Sequence, residues 1–185
     1  VSATRAEEII GELLFAQVKA IRLCINERLI TPALMLIYCG MDAAASMSRP
    51  AKQEEVQRQD FVAWAERYMH CKERLDVRGI DLYGARCGIL HAYTAESRQS
   101  RNETAVRLFY AWGDKTAEEG NQLFRSLGKP EKMVKIEDLF ETFADGLSNF
   151  VQHMDSDPDM AGLALSRTNS MLASVRSILP TEELG

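Results

Sequence analysis

The chain has 185 residues, 46% of them hydrophobic and 26% charged, with a formal net charge of −5. That length suits one domain with a packed core, and the apolar share excludes disorder as the default. The charge excludes a surface coated in basic residues for gripping duplex DNA. It is also uneven, since residues 114–185 hold thirteen acids and seven bases while residues 1–113 hold fourteen and fifteen, so an anionic partner is expected on the first two-thirds.

The N-terminus, VSATRAEEII, carries early acids and lacks a signal-peptide pattern. From Arg5 to Leu29, Ile10, Leu13, Leu14, Val18, Ile21, Ile25 and Leu29 recur at three- and four-residue steps, the period of an amphipathic helix with one packed side. Thr31-Pro32 then supplies a capping hydroxyl and a proline at a first helical position, followed by ALMLIYCGMDAAAS, a central helix with almost no polar side. Its longest apolar run, Pro32 to Met41, stops at Asp42 and is too short to cross a bilayer. A cytoplasmic protein without membrane contact is expected. Arg49-Pro50 breaks the helix, and Val56, Phe61, Trp64, Ala65 and Tyr68 predict a third one running to about Met69. A fourth, from Asp81 to about Tyr93, has small residues at Gly84, Ala85, Gly88 and Ala92 that allow a backbone or ligand to approach closely.

After a polar stretch, Val106, Leu108, Tyr110 and Trp112 alternate as a strand would, and residues 133–136 are its expected partner across a short helix near 117–127. Leu139, Phe140, Phe143, Leu147, Phe150 and Val151 predict a helix from about Glu137 to Met154. A last helix is expected from Pro158 to Ile178, capped by the turn at Asp155 to Asp159. The expected fold is one mainly α domain with a small two-stranded β element. Cys24, Cys39, Cys71 and Cys87 show neither a C-x-x-C pair nor a zinc-ligand rhythm, so buried reduced thiols and no metal or cofactor are expected.

The stretch YGARCGILHAY places Arg86 five residues before His91. A histidine titrating near neutrality can take or return the proton of a ribose 2′-hydroxyl, and an arginine can hold phosphate oxygens as negative charge builds, so RNA cleavage by such a pair needs no metal. A five-residue step on a regular helix separates two side chains by about 140°. Either the helix is distorted near Gly88, or it lies against a symmetry mate so that both copies of each residue line one cleft, the option preferred here because a twofold cleft supplies two histidines. Tyr83 and Tyr93 can stack on unpaired bases, and Arg98, Arg101 and Arg107 can contact phosphates, with Glu96 and Ser97 in support. The plain alternative is a solvated loop. Asp42 is a carboxylate in the most apolar helix and needs a partner. Arg86 or His91 could serve, although an exposed helix end or an unrelated arginine is the preferred reading. Likewise, Arg86 and His91 can be structural, the first paired with a carboxylate between helices and the second donating to a backbone carbonyl. His70 and His153 show no companion pattern and are expected at the surface.

Arg86-x4-His91 resembles the signature of the HEPN superfamily (higher eukaryotes and prokaryotes nucleotide-binding), over roughly residues 5–93. The resemblance implies an antiparallel helical bundle acting as a homodimer, in many members a metal-independent endoribonuclease and in several a toxin, with Arg86 and His91 as the catalytic pair. Single-stranded RNA or a nucleotide and an antitoxin-like protein are the partners it implies. Other members only bind. One position departs from the active ribonucleases, in which the residue after the arginine is often polar, whereas here it is Cys87. A non-catalytic module binding a nucleotide, RNA or protein, or a purely structural helical dimer, is the alternative.

Overall fold

In the computed structural model, the backbone is described for residues 3–92 and 104–171, and side chains for residues 15–90 and 104–168. Helices α1 (Ala3–Asn26) and α2 (Ile30–Ser48) pack along each other, joined by a turn in which Arg28 takes the left-handed conformation. The first helix buries Ile21 as expected, but it ends before Leu29, which is half-exposed. The expected Thr31 cap is also absent. Helix α2 starts two residues earlier, at Ile30 behind Leu29, and no side chain caps it.

The centrality of α2 is found: Ala33, Leu34, Ile37, Tyr38, Met41, Ala44 and Ala45 are buried. By length and composition it is the one described helix that could cross a membrane, because it continues past Asp42, yet 56% of its apolar window is buried in the fold. Its last turn leaves carbonyls without helical partners. Arg167 donates to the carbonyls of Ser46, Met47, Arg49 and Pro50, and Arg49 to that of Ser46. Two cations thus close the negative end of the helix dipole.

Helix α3 (Arg58–Trp64) begins where Asp60 accepts the backbone N–H of Gln57 at 2.6 Å, and it runs into a π-helical turn, Ala65–Met69. Val56, expected on this helix, precedes it and is exposed. Left-handed residues His70 and Asp76 bracket the short α4 (Cys71–Leu75), and α5 (Gly79–Ala92) follows. Asp81 holds the start of α5 by accepting from the Arg78 N–H, from the Arg78 guanidinium and from the Val106 N–H.

The β element consists of β1 (Leu108–Ala111) and β2 (Lys132–Lys135), connected through α6 (Ala117–Ser126). The strands pair in parallel, with Leu108 opposite Lys132, because the crossover helix returns the chain to the same end. The outer edge of β2 is closed by Asn121, whose amide both donates to the Met133 carbonyl and accepts its N–H. Tyr110 hydrogen-bonds Tyr38 at 2.5 Å and ties β1 to α2, whereas Trp112 falls beyond the strand and is 50% exposed.

Helix α7 (Ile136–Ser156) buries Leu139, Phe140, Phe143, Leu147, Phe150 and Met154, so the C-terminal third belongs to the same core as the helices before it. It crosses the π-helical turn closely at Gly146, where a Cβ would lie 2.7 Å from Met69 Cγ. Asp157 accepts from the N–H groups of Asp159 and Met160 and caps α8 (Pro158–Met171) as the turn predicted. The chain beyond Met171, including the expected end at Ile178, lies outside the described residues.

Candidate functional site

Helix α5 turns one face to the core through Leu82, Ala85 and Ile89, with Gly84 and Gly88 also buried. The other face carries Tyr83, Arg86, Cys87 and Leu90, all partly exposed. On α2, the corresponding open stripe holds Cys39 and Asp42, three residues apart and therefore neighbours on the helix surface. Where the two stripes meet, Asp42 Oδ2 accepts from Arg86 Nε at 2.8 Å and from a terminal guanidinium nitrogen at 2.7 Å. The partner of Asp42 is thus Arg86, contrary to the preferred reading of an exposed helix end or an unrelated arginine. The physical reason is packing: α2 and α5 lie against each other, and the two residues fall at their line of contact.

About a quarter of each side chain stays open, 22% for Arg86 and 24% for Asp42. Burial alone would lower the Arg86 pKa, but the hydrogen bonds and charge of Asp42 outweigh it and hold the guanidinium above its ordinary value. Beside it the Tyr83 ring centroid lies 6.0 Å from the guanidinium carbon. Burial raises the Tyr83 pKa and neighbouring Cys87 adds to this, so the phenol is a hydrogen-bond donor at neutral pH. The Cys39 thiol is pushed up by burial and by Asp42, while Arg86 pulls it down.

Helix α5 is continuous from Gly79 to Ala92, so distortion near Gly88 does not bring Arg86 and His91 together. On an unbroken helix their directions differ by about 140°. The His91 side chain lies outside the described side chains, and Tyr93, Ser97, Arg98 and Arg101, together with Glu96, lie outside the described residues altogether. Three of the clefts on the described surface, of about 330 to 460 Å³, are lined by neither Arg86 nor Asp42. Among the described residues no group of three His, Cys, Asp or Glu side chains could hold a metal ion.

The thiols divide against expectation. Only Cys71 is buried, its pKa pushed up to about 12 by burial and by Glu66, whereas Cys24 and Cys87 are partly exposed and Cys39 is exposed.

His70 is exposed as expected, but His153 is not a lone surface residue. It is only 23% exposed, its Nδ1 lies 2.7 Å from Tyr68 Oη, and its Nε2 lies 3.2 Å from the Arg67 guanidinium. This network joins the π-helical turn to α7. The one local signal for it was Asp157, four residues after His153 on the same helical side, but its carboxylate stands 3.9 Å away, too far for a hydrogen bond.

No protein-family model, no curated protein and no solved structure matches the chain.

Proposed function

We propose that the protein is a HEPN-like helical bundle acting on single-stranded RNA as a homodimer, with Arg86 and His91 as the residues of a metal-independent endoribonuclease. The observation that carries this reading is the Arg86–Asp42 pair. A carboxylate of α2 fixes the guanidinium of α5 in a partly open position beside Tyr83, so a phosphate meets an arginine already oriented and an aromatic ring on which a base can stack. Because positions 86 and 91 lie about 140° apart around one continuous helix, the reading requires two copies, each contributing its pair to a shared cleft. The histidine then moves the 2′-hydroxyl proton and the arginine steadies the phosphoryl charge.

The same pair favours a second reading. Asp42 neutralises much of the Arg86 charge, and Cys87 stands where a polar residue is often found in active ribonucleases; both fit a HEPN-like module that binds RNA, a nucleotide or a protein without turnover.

Incubation with single-stranded RNA in EDTA separates the two. Cleavage to cyclic-phosphate ends that is lost in Arg86→Ala and in His91→Ala, at unchanged helical content, supports the nuclease. Mixing the two variants should restore part of the activity, since a mixed dimer still supplies one arginine and one histidine to the common cleft. Binding without cleavage supports the second reading. Cleavage that persists in both variants removes the assignment.

A further inference from the structure

A cleft of about 370 Å³ opens between the C-terminal end of α2, the π-helical turn and the start of α8. Trp64, Tyr68 and Met160 form its apolar walls, and Arg49, Gln53 and Arg67 its polar ones. Its size falls within the range of small-ligand sites, which are mostly apolar with a few placed polar groups.

The two arginines outnumber the one acid among the lining residues. Arg49 donates to the carbonyls of Ser46, Gln53 and Glu54 and to the Ser46 hydroxyl, all uncharged acceptors. Arg67 meets two rings, the His153 imidazole at 3.2 Å and the Tyr68 face at 5.3 Å from the centroid. Asp60, the acid among the lining residues, is buried and already accepts from the Gln57 N–H and the Gln53 amide. In a chain of net charge −5, the cleft therefore carries an excess of positive charge.

A hydrogen-bond chain backs the wall. His153 Nε2 lies 3.2 Å from the Arg67 guanidinium and its Nδ1 2.7 Å from Tyr68 Oη, which ties both cleft side chains to α7. The buried indole N–H of Trp64 has no hydrogen-bond partner among the described residues. Arg67 and Tyr68 both belong to the π-helical turn, an insertion that shifts side chains out of the α-helical register and recurs at functional sites.

We propose that this cleft binds a small organic anion built on a flat aromatic ring, with the ring against Trp64 and Tyr68 and its carboxylate or phosphate on Arg67. The site is separate from the Arg86 face, and the proposal does not depend on RNA chemistry.

Trp64 reports on occupancy directly, because the chain has two tryptophans and the exposed Trp112 can be replaced. In a Trp112→Phe variant of the full chain, indole fluorescence is followed during titration with AMP, adenosine, benzoate, benzamide and inorganic phosphate. A saturable change with a Kd of about 1 mM or tighter is expected for AMP, benzoate or both, and which of them binds more tightly assigns the anion as phosphate or carboxylate. The neutral analogues should bind at least about tenfold more weakly, and Arg67→Ala should weaken the anion about tenfold and Tyr68→Phe about threefold. Thermal melting of the Arg67 and Tyr68 variants checks that the fold is kept. No saturable change with either aromatic anion overturns the proposal, as does equal binding of the neutral analogues. Phosphate alone matching AMP removes the aromatic part of it.

Discussion

Arg86 and Arg67 are presented in the same way, each on a helical turn with its guanidinium near the ring of a tyrosine, at 6.0 and 5.3 Å from the centroid. They differ in what stands opposite. Arg86 faces the Asp42 carboxylate, so much of its charge is met inside the molecule. Arg67 faces the His153 imidazole, so more of its charge remains for whatever enters the cleft beside it. The recognisable motif thus holds the arginine whose charge is mostly answered from within, and the arginine with charge to offer lies in a stretch with no motif at all.

The largest effect that would break this comparison is expected from Phe150→Ala. Phe150 packs edge-on to Tyr68 at 5.2 Å and to Trp64 at 6.4 Å, so truncation removes the support of the cleft and should cost about 3–5 kcal/mol in denaturant unfolding. The surviving native state should keep the Arg86–Asp42 pair and lose the response of Trp64 to aromatic anions.

Asp81→Asn comes next, at about 2 kcal/mol, and acts on the other region by loosening the start of α5. The buried carboxylate resists ionisation through desolvation, but the Arg78 side chain and the N–H groups of Val106 and Arg78 more than offset this and hold its pKa below the ordinary value. A depressed carboxylate pKa adds stability above its unfolded value and loses it as pH falls through the folded one. The stability difference between wild type and variant should therefore be full at neutral pH and close progressively below about pH 4, as followed by urea unfolding across pH. A difference that stays constant down to pH 2 would mean that the charge of Asp81 contributes nothing.

A double-mutant cycle sharpens the comparison of the arginines themselves. With Asp42→Asn and Arg86→Gln, the coupling should be about 1–2 kcal/mol, because both groups are three-quarters buried and doubly hydrogen-bonded. Arg67→Ala, at an exposed position, should change stability by less than about 0.5 kcal/mol.

How far these regions were legible in the sequence follows from the range of the contacts that make them. Helix α7 could be read residue by residue, since Leu139, Phe140, Phe143, Leu147 and Phe150 repeat at the helical period and the period itself states which side is buried. The need of Asp42 for a partner was legible because a carboxylate in an apolar helix demands one, and Arg86 was among the few cations at hand. The choice between Arg86 and an unrelated arginine was not, because it depends on where α2 and α5 touch. The two strands were legible from alternation and from residues 133–136. Their parallel sense is set by how the crossover helix packs, which no short pattern carries. Beyond Asp157, nothing near it in sequence marked His153, because its partners Tyr68 and Arg67 lie 85 and 86 positions away. Nor does residue spacing reveal the π-helical turn, or that α7 passes close to it at Gly146 and Met69.

The smallest expected effect is also the most local test of the Arg86 charge. The Cys39 thiol is exposed, and its pKa is raised by burial and by Asp42 but lowered by Arg86. Since the thiolate is the reactive form, the alkylation rate of Cys39 below its pKa measures the balance of the two charges. Asp42→Asn should speed native-state labelling about two- to threefold and Arg86→Gln should slow it by a similar factor, while Cys71, buried and pushed up to about 12, stays protected in every variant. Opposite signs in the two variants would show that both charges reach Cys39 through the partly open face between α2 and α5. Equal rates would mean that solvent screens the pair completely, and the guanidinium would then have as little influence on an incoming phosphate as on the thiol.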